Sequence, residues 1–526
     1  MKKITIFIFF ALSTLFVSAQ TTYNITDFGA IGDGKTVATI AINQAITECS
    51  KNGGGRVVIP SGEFVSGTIF MKDNIEIYLE SGATLLASTN TEDMPLIEHT
   101  DYRSLKDWYG WAALIYADGA NNIAITGNGT IDGQGENQPS RPELPKGDMD
   151  GRCRNILFIS CKNIRIEGIK MYHSGLWNQH YLNCEDLFVD NIYVDNNKRK
   201  NNDGIDIDGC RRVVVSNSII DANDDAVVIK STGEALCEDV TITNCVLSSW
   251  CNGIKAGTES TGGFRNIAIS NCVIKPTTCP TNFNHNKFIT NICFTGISLE
   301  IVDGGIMEAV AINNIITEGV QAPLFIRLGN RARKHLPDAP EPKIGTIRNI
   351  TVNNMIAYDV ENVTSSISAV EGACIENVTI SNIQFRNNGG VSLGNEINKL
   401  DHLESVYDVE EMADSYPEAI KWGNLPASIF FLRRIKNIII KDVTVTPLQE
   451  DSRTPIIAHD VKGIILGDFI LSDNITAPIF FKGYDVEDYK IEKPLGWRGE
   501  VSTFEKFMFP TLPKNISNSN SSQNSH

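Results

Sequence analysis

An eight-residue pattern of alternating apolar residues recurs along most of the chain and constrains its fold more than any other feature. Each copy reads apolar-x-apolar-x, then Asn, Asp or Gly, then apolar-x-apolar, as in LFVDNIYV and VVVSNSII. The first five copies start at residues 164, 187, 213, 240 and 267, at intervals of 23, 26, 27 and 27. Alternation indicates β-strands with one buried face, and the central Asn or Gly permits a left-handed bend between two strands. Repetition at this period predicts an all-β parallel β-helix, whose coils bury their inward side chains against one another.

Longer intervals between the later copies indicate insertions into this array. Further copies start at residues 310, 350, 378, 438 and 464, so insertions follow the copies at 267, 310 and 378. The largest insertion covers about residues 387–432, is acidic, and carries Tyr416 and Trp422. It is interpreted either as a wall at one end of a groove or as a solvated surface loop.

Two segments ahead of the repeats have roles of their own. Residues 1–19 combine Lys2-Lys3, an apolar core and a small-residue site, which predicts a cleaved secretory signal and a secreted or periplasmic protein. An amphipathic helix is expected near Thr39–Cys49, where it would cover the open apolar end of the array. We therefore predict one β-helix domain over residues 20–513 and a disordered low-complexity tail over residues 514–526.

The net charge limits the expected binding partners, and the cysteine positions bear on disulfides and metal sites. The net charge of −17 at pH 7 argues against nucleic acid or an anionic membrane surface, and no apolar run after residue 19 is long enough to span a bilayer. Four of the twelve cysteines, Cys161, Cys184, Cys210 and Cys237, recur at one repeat position, which favours stacked buried thiols over disulfides. Cysteine and histidine clusters with metal-ligand spacing are missing, so no metal and no other cofactor is predicted.

Three acidic residues are spaced by one coil within NNDGIDIDGCRRVVVSNSIIDANDDAVVIK, residues 201–230. Asp203 precedes Asp224 by 21 residues and Asp225 by 22. In coils of about that length the acidic turns are neighbours, one strand spacing of ~4.8 Å apart. Like charges held that close cannot all ionise freely, so one carboxyl is expected to keep its proton and to act as an acid.

Several motifs give the chain a resemblance to the polygalacturonase family, glycoside hydrolase family 28. They are the opening DFGAIGDGKT, then GNGTIDGQG at residues 127–135, and NxDGID followed 21–22 residues later by an Asp pair. The resemblance is clearest over residues 23–330 and implies a single-stranded right-handed parallel β-helix that hydrolyses glycosidic bonds with inversion. It also implies that Asp224 protonates the leaving oxygen, while Asp203 and Asp225 hold and deprotonate the attacking water.

Two further motifs of that family, Gly-His-Gly and Arg-Ile-Lys, are altered in this chain. Cys251-Asn252-Gly253 stands at the first, and Asn252 can form hydrogen bonds but cannot titrate near neutrality. Ser298-Leu299-Glu300 stands at the second, whose Arg and Lys hold a substrate carboxylate in the family. A hydroxyl and an acid would repel a carboxylate there, so substrate recognition is expected to differ.

Other side chains close to these coils are candidate substrate ligands. Lys230 follows the Asp pair on the same coil, and Arg327 lies in an apolar strand where a buried guanidinium needs an anion. Trp177 lies about one coil before the first acidic turn and offers an aromatic face for a sugar, while His180 is a weak substitute for the missing histidine. The predicted substrate-binding residues are Asn201, Asn252, Lys230, Trp177, His180, Arg327 and Glu300.

The residues and the resemblance together predict an inverting glycoside hydrolase that acts on pectic, galacturonide-type or related plant or algal cell-wall oligosaccharides. Exo action is predicted only from the long insertions, which would close one end of an open groove. One alternative is a lyase or dehydratase on uronic-acid oligosaccharides, which needs a cation to stabilise an enolate beside a base. The other is a non-catalytic carbohydrate-binding β-helix, which the three carboxyls disfavour.

Overall fold

A computed structural model describes residues 21–97, 102–104, 112–138, 152–277, 293–391 and 405–507. The strands in these ranges belong to one sheet, and successive coils pair in parallel, so the predicted parallel β-helix is confirmed. Among the described residues no helix has the length and apolarity that a bilayer span requires. The predicted leader at residues 1–19 and the tail at 514–526 lie outside the described ranges.

Short strands form the first part of the helix, up to the first acidic turn. They are β1 (Thr22–Asn24), β2 (Asp33–Val37), β3 (Gly55–Ile59), β4 (Gly62–Ser66), β5 (Ile69–Phe70), β6 (Ile75–Leu79), β7 (Ala83–Ala87), β8 (Ala113–Asp118), β9 (Asn121–Gly127), β10 (Thr130–Asp132), β11 (Arg154–Ile159), β12 (Lys162–Glu167), β13 (Lys170–Tyr172), β14 (Gln179–Leu182), β15 (Glu185–Asp190) and β16 (Tyr193–Asn196). Each coil of this part uses three strands separated by bends.

The strands that follow the first acidic turn are short as far as Val246–Ser249, and most of those after it are longer and run on through the bends. They are β17 (Ile205–Asp208), β18 (Arg211–Ser216), β19 (Ile219–Ala222), β20 (Val227–Ser231), β21 (Cys237–Thr243), β22 (Val246–Ser249), β23 (Asn252–Ser260), β24 (Gly263–Pro276), β25 (Cys293–Ile301), β26 (Ile306–Glu318), β27 (Val320–Leu328), β28 (Thr346–Val360), β29 (Ser365–Ala369), β30 (Ile375–Asn387), β31 (Ala427–Val445), β32 (Thr454–Leu471), β33 (Ile479–Ile491) and β34 (Glu500–Glu505). One α-helix, α1 (Thr39–Lys51), and short 3₁₀ turns complete the described structure.

Asparagine residues form the bends that the repeat pattern predicts. Asn191, Asn217, Asn244 and Asn271 have φ between 53° and 56°, the left-handed region that asparagine tolerates. Asn244 Nδ2 donates to Asn217 Oδ1 at 3.3 Å, and Asn314 Nδ2 donates to Asn271 Oδ1 at 3.1 Å. Where two asparagines stack in this way, each amide satisfies a polar group of its neighbour. Elsewhere in the row the partner differs, since Asn217 Nδ2 donates to Asp190 Oδ1 at 2.7 Å.

Alternating side chains of each strand divide between the interior and the outer surface. On β17, Ile205 and Ile207 are fully buried and lie beside Val227 and Ile229 of the next coil. The intervening Asp206 faces outward. This division follows from the two-residue period of a strand, and it places polar groups along one outer row.

The predicted thiol stack and covering helix are also found. Cys184 N donates to Cys210 Sγ at 3.3 Å, and the eleven cysteines within the described ranges are free thiols. Helix α1 buries Ile42 and Ile46 and extends two residues beyond the predicted Cys49. It shields apolar surface that the first coil would otherwise expose.

Part of the largest insertion packs against the sheet. We call residues 405–426 the covering segment. Arg433 Nη1 donates to Val409 O at 2.9 Å, and the Trp422 ring lies 5.8 Å from that of Phe325. These contacts contradict the solvated-loop interpretation for this part of the insertion, and a wall at one end of a groove stays a prediction.

Core packing should dominate stability, because each inward side chain contacts the coils on both sides. Ile207→Ala should lower the free energy of unfolding by about 2–5 kcal/mol. The matched control is Ile219→Ala, since Ile219 is 50 % exposed, and it should change stability by about 0.5 kcal/mol or less. Chemical denaturation measures both. Equal losses in the two variants would contradict the assigned alternation.

Candidate active site

Six neighbouring strands and the turns that precede them carry the candidate residues on one outer face. They are β14, β17, β20, β23, β25 and β27, paired in that order, and we call them the site sheet. Its pairing is in register apart from a shift between Ile229 and Ser231, so outward residues of successive strands stand side by side. One such row runs through His180, Asp206, Val228, Lys255 and Ser298.

The turns that precede β17 and β20 bring the three predicted carboxyls together. Gly204 N donates to Asp225 O at 2.9 Å, so the two turns are adjacent. One side-chain oxygen each from Asp203, Asp224 and Asp225 lies within 4.8 Å of the other two. Asp203 and Asp225 are buried and Asp224 is partly buried. Coil stacking therefore creates the acidic group, as the spacing of the sequence predicts.

Burial and mutual repulsion favour the protonated form of two of these carboxyls. Burial is the main cause that raises the pKa of Asp224, the charge of Asp225 adds to it, and Lys255 opposes it. Burial likewise raises the pKa of Asp203 well above its usual value, with a further contribution from Asp206. A carboxyl that keeps its proton beside ionisable neighbours has the property required of a general acid.

Two buried lysines balance the acidic group. Lys230 Nζ lies 3.6 Å from Asp203 Oδ2 and 3.3 Å from Asp206 Oδ1, and Lys255 Nζ lies 3.5 Å from Asp225 Oδ2. Burial lowers the pKa of each lysine, but the surrounding carboxylates outweigh it and raise the pKa above the usual value. Both lysines therefore stay charged. Lys255 was missed from the sequence, although its outward position in a strand adjoining the Asp pair was a usable signal.

Two predicted asparagines contact the carboxyls directly. Asn252 Nδ2 donates to Asp225 Oδ1 at 2.6 Å, and Asn201 Nδ2 lies 3.5 Å from Asp224 Oδ2. Asn201 has a left-handed φ of 56°, which turns its amide toward the neighbouring coil. These amides orient the carboxyls and supply no proton of their own.

Trp177 and His180 lie beside the acidic turns, but only one of them contacts a charged site residue. Lys230 Nζ is 4.5 Å from the centre of the Trp177 ring. His180 Nε2 is 3.1 Å from Asp208 Oδ2, and burial lowers the pKa of His180 to about 4 despite that neighbour. A neutral, fully buried ring cannot exchange protons near neutrality, so the suggested substitution for the missing histidine is corrected.

Glu300 and Arg327 occupy adjacent strands but have different surroundings. Glu300 Oε1 accepts a hydrogen bond from Ser298 Oγ at 2.6 Å, and its Oε2 is 4.0 Å from Lys255 Nζ. Arg327 stands three coils after Asp225, about 14 Å along the axis.

The expectation that Arg327 requires an anion is corrected by its partners. Its guanidinium donates to the backbone carbonyls of Glu411 and Met412 and to Ser368 Oγ. Neutral oxygens therefore satisfy its donors, and the residue holds the covering segment in place.

The covering segment adds residues that sequence spacing could not bring to the site. Lys255 Nζ is 3.1 Å from Tyr416 Oη, and Ile420 packs against Cys251 and Phe294 beside β23 and β25. Burial raises the pKa of Glu418 to about 7, opposed by Lys255. This part of the insertion therefore lies over the coils that immediately follow the acidic turns.

Comparisons with known proteins agree with this geometry. The family model for glycosyl hydrolases family 28 matches residues 49–394, which include the acidic turns, Lys255 and Glu300. A probable polygalacturonase of Vitis vinifera is 25% identical over 390 residues, covering 68% of this chain and 74% of the relative. An exo-poly-alpha-D-galacturonosidase of Dickeya chrysanthemi is 26% identical over 250 residues, covering 39% of this chain and 41% of the relative.

Solved structures share the architecture. The family 28 exopolygalacturonase of Yersinia enterocolitica superposes with a TM-score of 0.60 at 20% identity, over 85% of this chain and 78% of that one. An exopolygalacturonase from Thermotoga maritima gives a TM-score of 0.55 at 22% identity, over 70% of this chain and 87% of that one. These likenesses show a common fold. Because the family model covers well over half of the sequence, the chain belongs to glycosyl hydrolases family 28 and is a glycosidase.

Proposed function

We propose that the protein cleaves glycosidic bonds of pectic, galacturonide-type oligosaccharides by inverting hydrolysis and that it removes units from a chain end. The observation that carries this proposal is the convergence of three carboxyls beside two charged lysines on the site sheet. The substrate class is supported by the names of the relatives, polygalacturonase and exo-poly-alpha-D-galacturonosidase.

Each carboxyl has a distinct role in the proposed reaction. Asp224 donates its proton to the glycosidic oxygen as the bond to the anomeric carbon breaks. Asp203 and Asp225 hold a water molecule on the opposite side. Asp225 accepts the proton of that water as the new carbon–oxygen bond forms, because burial and the charge of Asp206 favour the protonated form of Asp203. Asn252 and Lys255 orient Asp225, so its oxygens are presented as acceptors.

Inversion is supported by family membership and not by distance. Inverting carboxyl pairs are typically ~6.5–9.5 Å apart, which is wider than the closest oxygens of this trio. The proposed water site lies between Asp203 and Asp225 in adjacent coils, so the water can lie to one side of the three carboxyls and the leaving oxygen to the other.

Exo action is supported by the covering segment. Tyr416 and Ile420 lie over the strands that follow the acidic turns, and Arg327 and Arg433 hold the carbonyls of the same segment. A wall on that side limits how far a polymer can extend past the carboxyls, whereas an endo-acting enzyme needs a groove open at both ends.

Removal of the proposed acid tests the function. Asp224→Asn should lower kcat on pectic oligosaccharides by about 10²–10⁴-fold, because the amide cannot supply the proton. The matched control is Asp221→Asn on β19, whose carboxylate accepts hydrogen bonds from Thr277 and Asn197 and is not part of the trio; its rate should be unchanged. Proton NMR of the initial products should show the inverted anomer.

Three outcomes would contradict this proposal. Full activity in Asp224→Asn would remove the acid role, and a retained anomer would remove inversion. Products with the ultraviolet absorbance of an unsaturated uronate would instead identify a lyase.

The wall can be tested separately through its exposed tyrosines. Tyr416→Ala should lower kcat/KM by about tenfold or more, since misplacement of a group that orients the substrate slows the reaction strongly. Tyr407→Ala, in the same segment and similarly exposed, should have little effect. Chromatography of the products over time should show one small product from the unmodified protein. A broad early ladder of products would contradict exo action.

We expect that hydrolysis does not require a metal ion. The oxygens of the acidic trio are close enough to hold a cation, but Lys230 and Lys255 already place positive charge beside them. Dialysis against a chelator should therefore leave the hydrolysis rate unchanged. A loss of activity that Ca²⁺ or Mg²⁺ restores would show that the trio binds metal.

A further inference from the structure

The coil that follows the Asp pair places a thiol beside the proposed acid. Val227 of β20 pairs with Ile254 of β23, so the residues three positions earlier, Asp224 and Cys251, are also neighbours. Ser249 Oγ donates to Asp224 O at 2.6 Å, which holds the same two turns together. The side chain of Cys251 forms a hydrogen bond with the carboxyl of Asp224.

The Cys251 thiol keeps its proton and can donate a hydrogen bond to a carboxylate oxygen. Burial raises the pKa of the thiol well above its usual value, and the charges of Asp224 and Asp225 add to this effect. A protonated thiol is a weak donor. A hydrogen bond to the charged form of a carboxyl favours that form, so Cys251 lowers the pKa of Asp224, against the larger effect of burial.

Apolar neighbours and backbone hydrogen bonds hold Cys251 in place. Its side chain packs with Phe294 and with Ile420 of the covering segment, and the residue is 8 % exposed. Its carbonyl accepts hydrogen bonds from Thr295 N at 3.1 Å and from Cys293 Sγ at 3.6 Å. A donor held in this way is already oriented before the reaction begins, so it does not have to reorganise as charge develops on its acceptor.

Other donors and charges face Asp224 from each surrounding element. Its oxygens accept hydrogen bonds from Asp225 N at 3.0 Å and from Asn201 Nδ2 at 3.5 Å. The charged or titratable groups around it are Asp203 before β17, the adjoining Asp225, Lys230 of β20, Lys255 of β23 and Glu418 of the covering segment. A substitution of Cys251 leaves the charges of these groups in place, so it can isolate the effect of one neutral donor.

We propose that Cys251 is a positioning residue for the acid, whose thiol holds the Asp224 carboxyl in one orientation and stabilises the carboxylate that forms as the proton leaves. The proton passes from Asp224 to the leaving oxygen, and the S–H bond of Cys251 stays intact throughout. Glycine, which the Gly-His-Gly motif has at this place, could not supply such a donor. The inference rests on the proposed function, because it deepens the assignment of Asp224 as the acid.

Substitutions that remove or keep the donor test this role in the full-length protein. Cys251→Ala removes the donor, so kcat on oligogalacturonides should fall several-fold. The alkaline limb of the pH profile of kcat should move up by about 0.5–1 pH unit, because the pKa of Asp224 rises when the hydrogen bond is lost. Cys251→Ser keeps a donor, so it should restore most of the rate and leave the limb no higher than in the unmodified protein. Cys272→Ala, which removes a buried thiol from β24, is the matched control and should change neither quantity.

Infrared spectroscopy observes the hydrogen bond without turnover. The difference spectrum between the unmodified protein and Cys251→Ser isolates the S–H stretching band of Cys251, because serine has no thiol. The same pair of spectra is then recorded with Asp224→Ala in both proteins, which removes the acceptor. The band should move to higher frequency, as expected for a thiol that no longer donates a hydrogen bond. With Asp221→Ala in place of Asp224→Ala the band should stay where it is.

The outcomes separate this inference from the proposed function. An unmoved alkaline limb in Cys251→Ala, equal losses of rate in the alanine and serine variants, or an S–H band that ignores Asp224→Ala would each overturn the positioning role while hydrolysis stands. Equal losses would show that the thiol only fills space. Full activity in Asp224→Asn would instead overturn the proposed function, whatever the S–H band shows.

Discussion

In-register parallel pairing of successive coils is the constraint on which the whole site depends. It places a residue beside its counterpart one turn later at a single strand spacing. The same pairing stacks Ile205 on Val227 inside the helix and brings the Asp203 turn beside the Asp224–Asp225 turn outside it. The apolar stack contributes most of the stability of such a coil. That stability offsets the unfavourable concentration of like charge in the buried acidic group.

The stacked coils therefore hold repelling carboxyls and compensating lysines in fixed positions at the site. Three carboxyls and Asp206 repel one another in a buried setting, and two lysines from adjoining strands offset part of that repulsion. The remaining repulsion and the burial raise the pKa of Asp224, which favours the protonated form that the proposed chemistry requires.

Most of the fold was predictable, because the alternation of apolar residues and the length of the repeat can be counted directly in the sequence. The repeat positions, the asparagine bends, the cysteine stack and the covering helix all follow from local alternation and spacing. The acidic trio followed for the same reason, since its members are one coil apart. Arg327 was misassigned because its apolar sequence context predicts that the side chain is buried but not which group accepts its hydrogen bonds. In the structure the acceptors include backbone carbonyls. His180 was misassigned because its distance in sequence does not show that Asp208 binds it.

The sequence alone determined the parallel β-helix and the convergence of Asp203, Asp224 and Asp225, because each depends on a repeat length that can be counted. Tertiary structure decided what surrounds them. Tyr416 reaches Lys255 across 161 residues, and no periodicity relates an insertion to the coil it covers. The charge state of the pocket was likewise decided in three dimensions, since the pKa of a carboxyl depends on its burial and on every neighbouring charge.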